Sequence, residues 1–289
     1  MSGLKYTMRS SVVLTMLGLC LPSGLVGAEA GPLKIRSVAS EPPGFSRVFS
    51  KHVDVFGVDV YATRHVEDVK VLHAAGVLAQ YLDNDANGQP DNALVLTALR
   101  RSRAALVMFA NERRFERLDV HRHIRERDWD RMLTVGLFGD ETLPEGSTRR
   151  RFDATLEEVL HLVTSGGYSV AYPDVFGERR GTEIARAMDR ARGGYFSSVP
   201  RRYPPGAWYS YDDRSCDYSC QVTEYFYWGL TSLLGAQSYP GRGAEIAHEW
   251  KLNTPAKLKV GDPMLYRLLT DARYRFPQRL PNGKYRPNR

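Results

Sequence analysis

The chain has 289 residues, of which 43% are hydrophobic and 25% charged, and its formal net charge is +7. This is ordinary globular composition, long enough for one large domain or two small ones around a hydrophobic core. The basic clusters Arg113-Arg114, Arg149-Arg150-Arg151, Arg201-Arg202 and His121-Arg122-His123 are interleaved with Glu112, Glu116, Glu126, Asp128 and Asp130, so they read as a solvated mixed-sign surface rather than a nucleic-acid face.

At the N-terminus, Lys5 and Arg9 precede an apolar run from Val12 to Leu21, and Ala28-Glu29-Ala30 offers small residues for cleavage. This pattern predicts a signal peptide over 1–30 and a mature protein in the periplasm or extracellular medium. The run is too short to cross a bilayer and no later run is longer, so stable membrane insertion is not expected. Leu19, directly before Cys20, argues against lipid attachment. Cys216 and Cys220 remain, and in an exported protein that spacing predicts a short disulfide.

Residues 31–50, with Pro42-Pro43-Gly44, read as an irregular lead-in, and 53–62 alternates apolar with polar residues as a strand does. Val69, Leu72, Val77, Leu78 and Leu82 form a helical stripe over 66–82, and a second helix is expected over 92–101. The short apolar runs 104–109 and 132–138 suit buried strands. Asp153 then caps a helix with Leu156, Val159, Leu160 and Val163 on its apolar face, ending near Gly166-Gly167. Loops and short helices are expected over 168–220, helices over 222–234 and 244–252, and an irregular C-terminal segment over 256–289. The expected fold class is α+β: a small sheet, a motif helix and a mostly helical second half, with residues 31–255 as one domain.

The segment Asp83-Asn84-Asp85-Ala86-Asn87-Gly88-Gln89-Pro90-Asp91 places oxygen side chains at positions 1, 3, 5 and 9 and a glycine at position 6. Gln89 at position 7 would offer its backbone carbonyl. An EF-hand loop wraps a hard cation in this way, between two helices, so Asp83, Asp85, Asn87, Gln89 and Asp91 are candidate calcium ligands in a loop spanning 83–94. Leu94 stands where the bidentate Glu belongs and Pro90 occupies position 8, which suits a single structural calcium loop of an exported protein. An ion-free turn rich in Asn and Asp is the alternative.

Glu157-Glu158-Val159-Leu160-His161 differs from the helical zinc motif H-E-x-x-H only at its first position. Ligands at i and i+4 share one helix face, and a carboxylate can ligate zinc in place of an imidazole. With this motif, the order of strands and helices over about 50–255 resembles zincin-type, gluzincin-like metallopeptidases. The resemblance implies zinc or another divalent transition metal held by Glu157 and His161, with Glu158 activating water on a peptide or protein substrate. It also implies a third ligand on a later helix, for which Glu224 is chosen. A carboxylate within so aromatic a helix is costly to bury unless its charge is compensated. A tyrosine near that ligand would steady the oxyanion, and Tyr218 or Tyr211 could serve. One His with several Glu is more anionic than the usual two-His set, so the metal-bound water would be less acidic and a different divalent ion could be preferred.

Other chemistries find little footing. Gly-x-Ser-x-Gly and a phosphate-binding glycine loop are absent from the sequence. A glycosidase could pair Glu157 or Glu158 with Asp212 or Asp213 beside Trp208 and Tyr211. A non-catalytic, calcium-stabilised binding protein descended from a peptidase is the stronger alternative.

Overall fold

Val58 follows Val55 across a two-residue turn, Phe56-Gly57, in which both residues have positive φ, 53° and 78°. That backbone matches the right-handed twist of a hairpin, so the single strand expected over 53–62 is two, β1 (Lys51–Val55) and β2 (Val58–Ala62), paired antiparallel. Phenylalanine is no turn signal in a sequence. Here tertiary contacts set the turn: Phe56 is buried edge-on to the Tyr285 ring, and Arg100 Nε donates to its carbonyl at 2.8 Å. The computed structural model describes residues 33–40, 42–149 and 151–287; the expected signal peptide and Cys20 lie outside them.

From β2 the chain passes through α1 (Asp68–Leu82) and α2 (Ala93–Arg101) into β3 (Ala105–Phe109), which pairs parallel to β2. After short helical turns at Glu112–Glu116 and Glu126–Trp129 it enters β4 (Thr134–Phe138), parallel to β3. The sheet order is β1-β2-β3-β4, with β4 at one edge. Side chains alternate between two faces. Leu106, Met108, Val135 and Leu137 join the main core, whereas Ala105, Val107 and Phe109 meet Phe45, Phe49, Ile124 and Trp129 in a smaller one. A sheet buried on both faces explains the continuous apolar run of β3.

α3 (Thr155–Val163) packs on β4 and α1, and continues into a π-helical turn, Thr164–Tyr168. That turn lies close against α2: a Cβ on Gly167 would come within 2.7 Å of Val95 Cγ1. Beyond it stand α4 (Glu183–Ala191) and α5 (Tyr218–Leu233). Side chains of α5 are buried from Gln221 through Ser232, so it is the axis of the second half, wrapped by α3 and α4 and by two further helices, α6 (Pro255–Gly261) and α7 (Pro263–Thr270). These last two correct the expectation of an irregular segment over 256–289. Each has Pro in its first turn and a side-chain cap, Thr254 to Lys257 N and Asp262 to Leu265 N, and Leu258, Leu265 and Leu269 are buried. Proline at N1 starts a helix as readily as it ends one. The helix expected over 244–252 is a single turn, Arg242–Glu245.

The class is α+β, as expected. The Cys216–Cys220 disulfide is formed, straddling the start of α5. Among the described residues, no helix is long and apolar enough to cross a membrane.

Candidate metal centre

The apolar face of α3 faces inward: Leu156, Val159, Leu160 and Val163 are buried. This leaves Glu157 and Glu158 on its flank, one turn before His161. Acids in the first turn suit the positive end of the helix dipole. Ahead of them, Asp153 Oδ1 accepts from Thr155 N and Leu143 N, and Asp153 Oδ2 lies 2.7 Å from His73 Nε2 on α1. The start of α3 is thereby fixed to the helix behind it. At the other end, Glu178 accepts from Ser165 Oγ at 2.5 Å and Thr223 Oγ1 at 2.7 Å. One loop carboxylate so joins the end of α3 to α5 beside Glu224.

Glu157, Glu158 and His161 each present a ligand atom, all within 4.8 Å of one another. His161 meets a carboxylate on each ring edge: Glu158 Oε2 at 3.6 Å from Nδ1, and Glu224 Oε2, from α5, at 3.7 Å from Nε2. His161 and Glu224 are buried, 7% and 3% exposed. The Nε2 atom is sealed from solvent and makes no hydrogen bond. A buried polar atom without a partner costs about 1–3 kcal/mol. At 3.7 Å the Nε2–Glu224 contact is an ion pair longer than a hydrogen bond, and it is close to the roughly 3.4 Å that separates two ligand atoms each about 2.1 Å from one tetrahedral ion.

Charge concentrates here in an otherwise basic chain. Burial pushes the His161 imidazole down, but Glu224, Glu158 and Glu157 outweigh it and lift its pKa to about 9. Burial also raises the Glu158 carboxyl, against the lowering effect of His161. Glu141, in the loop after β4, is lifted to about 7, first by the protein packed around it and then by Asp140, Glu158, Glu157 and Glu112, although it keeps substantial solvent exposure. Glu141 and Glu178 were not among the expected site residues. No local motif marks them, because loop packing alone brings them to the acids of α3 and to α5.

The expected set is gathered in part. Glu157, Glu158 and His161 form the compact group, and Glu224 approaches the ring from outside it. Glu158, the expected base, stands against Nδ1. Tyr218 donates its hydroxyl to Asp189 at 3.1 Å and lies beside Arg192 and Tyr195. Burial and then Asp189 raise its pKa, so its proton is committed there. Tyr211 is buried and accepts at its carbonyl from the Tyr203 hydroxyl.

The second expected cation site forms a compact group of Asp83, Asp85 and Asp91. Asp83, fully buried, accepts from Asn87 N, Gly88 N and the Tyr285 hydroxyl, none of which carries charge. Asp85 accepts from Asn87 N and Nδ2, Asn87 Oδ1 from Gln89 N, and Asp91 from Asn84 N. Burial raises the carboxyls of Asp83 and Asp91. Leu94 is 60% exposed at the start of α2, and its side chain carries no oxygen. A third group, Asp212, His248 and Glu249, lies largely exposed. The Glu157–Glu158–His161 and Asp83–Asp85–Asp91 groups, each built around one buried member, could each hold a metal ion. No protein-family model, curated protein or solved structure matches this chain, so the metallopeptidase resemblance rests on the motif residues themselves.

Proposed function

We propose that this chain is an exported calcium-binding protein whose histidine-containing centre holds a divalent transition metal and serves a peptide-hydrolase activity. One observation carries the reading: His161 Nε2, buried and without a hydrogen bond, faces a buried carboxylate at ligand spacing. A cation between Nε2 and Glu224 would satisfy both groups. Glu157, which shares its compact group with Glu158 and His161 and not with Glu224, would have to turn toward that ion to supply a third protein ligand. Glu158 at Nδ1 would fix the ring, as outer-shell carboxylates of metal-bound histidines do. When bound, the metal would supply Lewis acidity to a water and a carbonyl. With Glu158 engaged at the ring, the exposed Glu141, whose carboxyl is lifted to about 7 by burial and by the neighbouring acids, would be available to exchange a proton with solvent.

Elemental analysis of the gently purified mature protein should find one transition-metal ion per chain besides calcium, lost in Glu157→Ala and His161→Ala. Chelation should abolish cleavage of peptide substrates. A folded wild-type protein that takes up no transition metal would end the proposal.

A non-catalytic, calcium-stabilised binding protein is the second reading, favoured by the engagement of Tyr218 with Asp189 and of Glu158 with His161. Both metals bound, with no chelator-sensitive peptide cleavage, would select it.

A further inference from the structure

Residues 277–285 run back across the end of α1 and the acidic loop as an extended strap, held mainly by side chains of two consecutive segments. Asn84 Oδ1 accepts from Gln278 N and Arg279 N, each at 2.8 Å, and Asn84 Nδ2 donates to Arg279 O. Gln80 Oε1 accepts from Asn282 N and Gly283 N, again at 2.8 Å. The Tyr285 hydroxyl donates to Asp83 at 2.6 Å. Four strap amides and one hydroxyl are thus held by three residues within the stretch 80–84.

The geometry divides the loop into two sides. Asp83 and Asp85, at alternate positions, turn their carboxylates toward Asp91, whereas the intervening Asn84 turns outward to the strap. Asp83 belongs to both sides, because Tyr285 bonds the same Oδ2 atom that accepts from Gly88 N. Its carboxylate is fully buried and its hydrogen-bond donors are neutral, so none of them offsets its charge, whereas Asp85 is exposed and the partly buried Asp91 feels the charge of Arg275. A buried anion so placed calls for a cation.

The strap also encloses space. A cavity of about 320 Å³ lies between it and the start of α3, lined by Leu280, Pro281 and Asn282 on the strap and by His73, Asp153 and Leu156 opposite. Gly283 seals the His73 side, where an added Cβ would come within 2.1 Å of Nδ1.

We propose that calcium in the 83–91 loop latches this strap, so that the ion controls access to the cavity behind α3. The inference rests on the calcium reading above. An ion joining Asp83, Asp85 and Asp91 removes their mutual repulsion and holds Asp83 as a carboxylate, the stronger acceptor for Tyr285. It also fixes the loop backbone from which Asn84 reaches the strap. Without the ion, the three acids push the loop apart and the strap loosens with it.

The test uses the mature protein stripped with EGTA and titrated with calcium by calorimetry, followed by hydrogen exchange at the Gln278, Arg279, Asn282 and Gly283 amides. Calcium should slow that exchange at least tenfold and lower diethyl pyrocarbonate labelling of His73 to a similar degree. Tyr285→Phe should still bind calcium but lose most of the protection. Should Tyr285→Phe not fold, Asn84→Ala severs the strap without removing an ion ligand and should behave the same way. Calcium binding with unchanged strap exchange and unchanged His73 labelling would overturn the latch and leave the calcium reading standing. Absence of calcium binding would overturn both.

Discussion

Glu224 and Glu158 hold opposite edges of one imidazole: Glu224 reaches His161 Nε2 from α5 at 3.7 Å, and Glu158 meets Nδ1 from within α3 at 3.6 Å. This relationship sets the pH behaviour of the metal-free protein. The ring pKa in the folded chain is raised to about 9 from an ordinary 6.5. The stability it contributes is therefore fully present below pH 6.5 and lost as pH rises through about 9. A metal must displace that proton, so transition-metal affinity should climb with pH until about 9. Calorimetry across pH, with an NMR titration of His161, checks this. Glu224→Gln should move the midpoint down, and an unmoved midpoint would show that Glu224 does not act on the ring.

Asp153 receives His73 Nε2, Leu143 N and Thr155 N on one buried carboxylate. Asp153→Ala leaves all three donors without their acceptor and should cost about 3–5 kcal/mol, the usual result of breaking a buried pair on one side. Denaturant unfolding measures it. A loss below about 1 kcal/mol would mean that water replaces the carboxylate at little cost.

Gly76 on α1 lies directly beneath the strap, and a Cβ there would stand 2.1 Å from Gly283 O, a backbone atom. Alanine is the better helix former by about 1 kcal/mol, yet Gly76→Ala should destabilise by about 1–3 kcal/mol because the strap must move. Thermal melts give the sign. Hydrogen exchange should place the loosening in 278–283.

The disulfide closes a loop only four residues apart in sequence, across the first turn of α5. A loop so short restricts the unfolded chain little, so Cys216→Ser with Cys220→Ser should cost about 2 kcal/mol. Glu224 lies a full turn beyond Cys220, within the buried part of α5. Transition-metal affinity in the double variant should therefore fall less than tenfold.

Much of this protein is readable along the chain because the signals are local. Val77, Leu78 and Leu82 of the expected stripe face the core from α1, although its other two members, Val69 and Leu72, are exposed. Asn92 caps α2 where its side-chain oxygen meets Leu94 N and Val95 N, and the alternating oxygens of 83–91 gather three acids. Residues 157, 158 and 161 meet because helical spacing alone puts them on one flank. What followed from contacts distant in sequence was not legible. The hairpin turn at Phe56 depends on Arg100 and Tyr285, Glu141 joins the acids of α3 through a loop, and α6 and α7 owe their stability to burial against α5.

The sequence by itself determined the two acidic groups and the helix that carries His161, since ligand spacing within one turn is a property of the backbone. Only the tertiary structure decided which ring edge each carboxylate faces, that Tyr218 turns to Asp189, and that the C-terminal strap closes on the acidic loop. Those outcomes depend on where α5 and the strap dock, and docking is set by burial summed over the whole core, which no short stretch of residues encodes.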